Sequence, residues 1–264
     1  MLELYTHPMS PCAQKVRIVL AEKGLDWTKH HIELSQKENL TEEYLKLNPL
    51  GVVPTLVHDG RPVIESNVIC EYLEDIYPTP SLRPSSHYEV ANMRLWMKHV
   101  DTKLHPSCGA LQWPLVMRPA LMEKSEDERQ ALLERIPEKP RRERQKRLVA
   151  HGLDAPDVID AVHVYRKTIL HMNDMLKEHP WIVSDTFSLA DASLAPYFQT
   201  ILQFGWTEMY DDCPRVGDWF ERCRSRNSYE TSVACDFPPE IMADLRAKGE
   251  QALQKIRQHL NALK

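Results

Sequence analysis

Four features are missing from this 264-residue chain, and each absence narrows what the protein can be. No apolar run approaches the roughly 18 residues that mark a membrane-spanning helix. The N-terminus lacks a charged segment leading into an apolar core, so no secretory leader is expected there. Positive charge is not in surplus: 33 basic against 38 acidic residues leave a net charge of -5, which argues against a general nucleic-acid binder. The six cysteines, Cys12, Cys70, Cys108, Cys213, Cys223 and Cys235, form no CxxC pair and have no close histidine partners in sequence. That spacing disfavours a zinc site or a disulfide framework and fits reduced thiols in a cytosol. The expectation is a cytoplasmic globular protein with no metal, no nucleic-acid partner and no membrane partner.

What is present begins at the first 24 residues. Leu2 to Thr6 alternates apolar and polar side chains as a short strand does. Ser10 is a favoured N-cap, Pro11 a favoured first helical residue, and Val16, Val19 and Leu20 recur on one face before Gly24. The pattern predicts a strand, a turn and a helix, with the Ser10 hydroxyl and the Cys12 thiol at the helix N-terminus. Free N–H groups and partial positive charge at that end favour an anion.

The rest of the first 80 residues continues in short elements. A second strand is expected over 27–34 and a short helix over 42–47. Two strands, 53–58 and 61–64, flank Asp59-Gly60, a two-residue hairpin signal. Ser66 is expected to cap a helix running to about Tyr77. Pro54 would interrupt a central ladder, so it belongs at an edge or turn, where a cis bond would aim the Val53 backbone at a ligand. Glu65 can accept from an ammonium group, and the Ser66 helix start can receive a carboxylate. Together these describe an amino-acid head group.

Residues 81–87 read as a linker at the end of a Pro- and Ser-rich stretch, and 88–264 as helical throughout. Helices are expected over 88–104, 157–177, 189–204 and 216–224. Ser188-Leu-Ala-Asp191 has the spacing of a capping box. An excursion over 119–150 is polar, is interrupted by Pro137 and Pro140, and runs from acidic to basic. It reads as a solvated helical segment with paired charges rather than an anion or nucleic-acid site. A C-terminal helix over 240–263, with Leu253, Ile256, Leu260 and Leu263 on one side, is expected to pack on its own bundle.

The segments SPCAQKVRIVLAEKG, NPLGVVPTL, IESNVICEYLED and FSLADASLAP, in this order, resemble the cytosolic glutathione transferases. The N-terminal motif is of the serine type, similar to the zeta, tau and omega classes. The helical part resembles bacterial β-etherases and reductive dehalogenases. The resemblance implies an α/β thioredoxin-like domain over 1–80 that binds glutathione, and an all-α domain over 88–264 that holds the electrophile. It places Ser10 where serine-type classes keep the hydroxyl that activates the glutathione thiol. It also implies that Val53 pairs with the cysteinyl backbone, that Pro54 is the family's cis-proline, and that Glu65 and Ser66 hold the γ-glutamyl end. Val52 stands where several classes have glutamine, and Leu40 where omega and tau enzymes place a lysine for the glycine carboxylate, a role that leaves Lys37 as a substitute. Cys12 is either a participating thiol or a small packing residue. Met9, Met97, His105 and Trp113 are candidates for the electrophile site, and His7 for the cleft wall.

The implied chemistry is activation of glutathione, the co-substrate, as a thiolate for attack on a hydrophobic electrophile, expected to be aromatic, by conjugation or β-aryl ether cleavage. Alternatives are a thioltransferase or reductive dehalogenase working through Cys12, or a non-catalytic binding protein. A homodimer is also implied. Lowering a thiol from about 8.5 to about 6.5 requires about 2.7 kcal/mol. A helix N-terminus contributes about 0.3–1 kcal/mol, and a hydroxyl donating to a charged acceptor about 1.5–3 kcal/mol. The hydroxyl is therefore needed.

Overall fold

The computed structural model describes residues 1–261. Strand β1 (Leu2–Thr6) leads through the Ser10-Pro11 turn into α1 (Pro11–Glu22), then β2 (Thr28–His31), α2 (Glu42–Leu47), β3 (Thr55–His58), β4 (Arg61–Val63) and α3 (Ser66–Ile76). The sheet order is β2-β1-β3-β4, with β1 and β2 parallel and the other pairs antiparallel. Asp59 and Gly60 both take positive φ, as a tight hairpin of this type demands. Strand β2 is shorter than the alternation over 27–34 suggests, and its residues are largely exposed.

The second half is helical: α4 (His87–His99), α5 (His105–Val116), α6 (Arg118–Met122), α7 (Glu126–Glu134), α8 (Lys139–His151), α9 (Pro156–Met175), α10 (Leu189–Gln203), α11 (Pro214–Arg224), α12 (Asn227–Ser232) and α13 (Pro239–Asn261). One departure concerns the helix expected over 88–104. It ends at His99, and a wider π turn over Val100–Leu104 carries the chain into α5. Pro106 supplies the physical reason, because it has no N–H to continue an α ladder into that turn. Leu263 lies outside the described residues; Leu253, Ile256 and Leu260 face the bundle, with Ile256 fully buried.

A continuous apolar core runs from Leu4 and Leu56 of the sheet, through Val16 and Leu20 of α1, to Tyr165 and Phe198 of the helical domain. Helix α1 lies between sheet and bundle and packs on α3, α10 and α12. Its polar residues are buried too, so each needs a partner. Arg17 donates to Ser232 O (2.9 Å), Thr6 Oγ1 (3.2 Å) and Asp236 Oδ2 (2.6 Å). Lys23 donates to the carbonyls of Tyr77 (2.7 Å) and Pro80 (2.9 Å) and pairs with Glu74, which ties the linker down.

The capping box forms as expected and goes further. Asp191 is fully buried and accepts from Ser188 N (3.0 Å), Ser188 Oγ (2.9 Å), Ile182 N (3.0 Å) and Trp219 Nε1 (2.8 Å). Burial is the largest influence on its carboxyl and raises its pKa, with the four donors pulling the other way. The excursion has a small core of its own, Leu121, Leu133, Ile136 and Val149, with Trp113 packed against it.

Candidate active site

The turn after β1 is held by backbone bonds, with Ser10 N donating to His7 O (3.1 Å) and Gln14 N to Ser10 O (2.9 Å). Ser10 is the N-cap of α1: its Oγ accepts from Ala13 N (3.3 Å) and lies 3.5 Å from Val53 O. The Val53–Pro54 bond is cis. Gly51, at φ +59°, closes the turn before it, and an added Cβ would meet Leu40 at 2.7 Å and the Asn39 carbonyl at 3.1 Å.

Ser66 is not the cap of α3. Glu65 occupies that position with φ 69°, a backbone region that costs energy for a residue with a side chain and recurs at ligand sites. Ser66 is instead the first helical residue. Its hydroxyl accepts from Lys15 Nζ (3.1 Å), which also donates to Asn67 Oδ1 (2.7 Å) and pairs with Asp101 (3.3 Å). The Lys15 side chain is 0% exposed, and its Nζ sits beneath the start of α3. Sequence reasoning missed Lys15, although a lysine three residues after Cys12 on an otherwise buried helix face was the available signal.

Two neighbouring cavities open between the halves. The larger, about 420 Å³, is lined by Cys12, Val53, Pro54, Glu65, Ser66 and His105, among others. The smaller, about 190 Å³, is lined by Ser10, Lys37 and Val53 of the first domain and, from the helical domain, by apolar residues including Trp113, Met117 and Leu133. Val52, Val53, His105 and Arg141 border both.

Of the anticipated residues, Ser10, Cys12, Lys37, Val53, Pro54, Glu65, Ser66, His105 and Trp113 thus meet at this pair of cavities. Met97 does not: its side chain is buried in the main core, where only its carbonyl is used, by Asn67 Nδ2 (2.7 Å). Met9 packs on that core and its N–H donates to His7 Nδ1 (3.1 Å); neither it nor His7 lines the cavities. His7, His31 and Glu33 bring their potential ligand atoms within 4.8 Å of one another at the sheet edge. A metal on His7 Nε2 would require the other tautomer and the loss of the Met9 bond.

Cys12 has a partner 93 positions away. Its Sγ lies 3.4 Å from His105 Nδ1 and 3.6 Å from the Tyr197 hydroxyl. Burial alone would push the thiol up, but the charge and hydrogen bond of His105, with Lys15 and Tyr197, bring it down to about 6. The Cys12 thiolate in turn raises His105. By contrast, burial raises the thiols of Cys70, to about 12, and of Cys108, to about 11.

The excursion is not simply a solvated segment. Arg135 donates to Leu40 O (3.1 Å) and Arg141 to Leu50 O (3.1 Å), which draws α7 and α8 over the loop before β3. Arg141 and Arg144 consequently face the larger cavity. The reading of this segment as paired surface charge is corrected for those two residues. Their spacing of three on α8 put them on one face, but nothing local indicated that the face folds back onto residues 40–51.

A two-domain architecture of this kind, with a hydroxyl at the first helix cap, a cis-proline and a left-handed residue before α3, defines a thioredoxin-like domain joined to a helical one. Residues 9–76 match the glutathione S-transferase N-terminal domain and residues 159–227 the glutathione S-transferase C-terminal domain; the chain belongs to the glutathione S-transferase family. Protein LigF of Sphingobium sp. (strain NBRC 103272 / SYK-6) is 29% identical over 192 residues, spanning 72% of this chain and 75% of that protein. The crystal structure of β-etherase LigF from Sphingobium sp. strain SYK-6 superposes with a TM-score of 0.80 at 25% identity, covering 88% of this chain and 98% of that one. A probable glutathione S-transferase GSTU1 of Oryza sativa subsp. japonica is 40% identical over 120 residues, 42% of this chain and 50% of that protein. The chain is thus a glutathione transferase, with glutathione as its co-substrate. Among the described residues, no helix is long and apolar enough to cross a membrane.

Proposed function

We propose that this enzyme joins the sulfur of glutathione to carbon in a hydrophobic aromatic electrophile, with cleavage of a β-aryl ether within its scope. The observation that carries the reading is the cavity that Ser10 shares with the apolar side chains of Trp113, Met117 and Leu133. Similarity to a β-etherase supports the ether substrate. In this reading the Ser10 hydroxyl turns from Val53 O to donate to the thiolate, which attacks carbon; a C–S bond forms and aryloxide or halide leaves with the electron pair. Val53 pairs with the cysteinyl backbone beside Pro54. Glu65 and Ser66 take the γ-glutamyl end, and Lys37, half-buried and pulled down first by burial and then by Arg141 and Arg135, takes the glycine carboxylate. The test is mass spectrometry of the products formed from glutathione with a β-aryl ether and with a chloronitrobenzene. A thioether is expected from at least one; no adduct from either would overturn the proposal.

A second reading rests on the pairing of Cys12 with His105. The Cys12 thiolate attacks a glutathionyl mixed disulfide, takes the glutathionyl group and releases the other thiolate. Reduced glutathione then restores Cys12 and leaves as glutathione disulfide. Turnover of such a disulfide that vanishes in Cys12→Ser, with conjugation intact, supports it; unchanged turnover removes it.

The proposal includes a cytoplasmic setting, a role in detoxification or breakdown of aromatic compounds, and a homodimer. Exposed Val68 and Ile76 on α3 and Tyr88 and Leu95 on α4 support the pairing of two copies. Light scattering at twice the chain mass is the expected result.

A further inference from the structure

We propose that Arg144 of the excursion binds the α-carboxylate of the γ-glutamyl group, so that the helical domain supplies part of the glutathione site. The inference rests on the reading of the cleft as a glutathione site. Helix α8 is densely basic, and the residues around Arg144 have partners. Arg141 donates to Leu50 O (3.1 Å), Arg142 to Ile136 O (3.0 Å), Lys146 pairs with Glu134 (2.6 Å), and Arg147 holds Asp157 with two bonds of 2.7 and 2.8 Å. Arg144 makes no hydrogen bond or ion pair among the described residues, yet it is half-buried and lines the larger cavity.

Burial is the dominant influence on its guanidinium and lowers its pKa; Glu138 and Asp157 oppose this only through their charge. A desolvated cation without a partner is costly, and a fold that keeps one has a use for it when an anion arrives. The planar guanidinium presents a fork of donors matched to a carboxylate.

The division of the cavities says which carboxylate. Lys37 borders the smaller cavity and not the larger. Arg144 borders the larger, with Glu65 and Ser66, where the amino-acid head is placed. An ammonium on Glu65 and a carboxylate shared by the Ser66 helix start and Arg144 satisfy both charges of that head. The electrophile's apolar wall belongs to the other cavity, which leaves Arg144 to the tripeptide.

The test is titration calorimetry on the full chain and Arg144→Gln with three probes: S-hexylglutathione, its glycinamide form, and the analogue whose γ-glutamyl group is replaced by 4-aminobutanoyl and so lacks the α-carboxylate. The variant is expected to bind the first two about 10- to 100-fold more weakly than the wild type. For the third, wild type and variant are expected to agree within about twofold, with Arg144→Lys recovering part of the loss. An equal loss on all three probes, a loss that disappears only on the glycinamide, or no loss at all overturns the assignment. A wild type that binds none of them overturns the glutathione reading itself, and the assignment with it. Arg144 has no described hydrogen bond or ion pair to break, so the variant's Tm should stay unchanged or rise; a fall in Tm matching the fall in affinity marks a structural role and counts against the proposal.

Discussion

Charged side chains withdrawn from water are completed differently at two of their sites in this molecule. Around Asp191 every donor comes from the chain: two backbone N–H groups, a hydroxyl and an indole satisfy one carboxylate. In the cleft, Lys37 and Arg144 are desolvated and have no hydrogen-bonded partners among the described residues. The first arrangement fixes the fold, because any other conformation of α10 would strand the carboxylate. The second fixes nothing until a ligand with its own negative charges arrives. Stability and recognition therefore draw on the same physics with opposite completeness.

The sharpest way to break the comparison is Asp191→Ala. Four donors lose their acceptor in a fully buried setting, and we expect a loss of about 3–5 kcal/mol in chemical denaturation. A loss below about 1 kcal/mol would mean that water or repacking replaces the carboxylate. Next is Ser10→Ala, expected to slow conjugation by about tenfold or more while glutathione affinity changes little, since the hydroxyl acts on the ionised sulfur. Equal turnover would remove Ser10 from the chemistry. Lys37→Met inverts the Asp191 result: weaker glutathione binding, with denaturation midpoints unchanged or raised, because a half-buried cation with no ion-pair partner among the described residues contributes nothing to the empty fold.

His105→Ala tests a further titratable group in the cleft. The reactive form of Cys12 is the thiolate, and its pKa is near 6, so alkylation by iodoacetamide should be on a plateau above pH 7 and fall as pH drops through about 6. Removing His105 takes away both its charge and its hydrogen bond, so the midpoint should rise toward the ordinary thiol range. An unmoved midpoint would show that the imidazole does not hold the thiolate. The smallest effect is expected at the surface: Lys248→Ala breaks an exposed i,i+4 pair with Asp244 and should cost no more than about 0.5 kcal/mol.

What could be read from the sequence was what is local. Ser10-Pro11 as a helix start, Asp59-Gly60 as a hairpin and Ser188 with Asp191 as a box each depend on a few neighbouring residues, and each is found in place. Ser66 shows the limit within even a short stretch. A serine before an apolar run reads as a cap, but the left-handed turn at Glu65 moves the cap one residue earlier and frees the Ser66 hydroxyl for Lys15. The remaining features depend on contacts between distant segments. His105 was a candidate in its own right, yet its pairing with Cys12 joins positions 93 apart. Arg141 and Arg144 looked like solvated charge because nothing within the excursion states that it folds back over residues 40–51.

That fold-back uses backbone oxygens. Arg135 and Arg141 grip the carbonyls of Leu40 and Leu50, which every amino acid at those positions would present. Side chains along this stretch can therefore diversify toward new ligands while the roof above them keeps its anchorage, provided that Gly51 retains its turn.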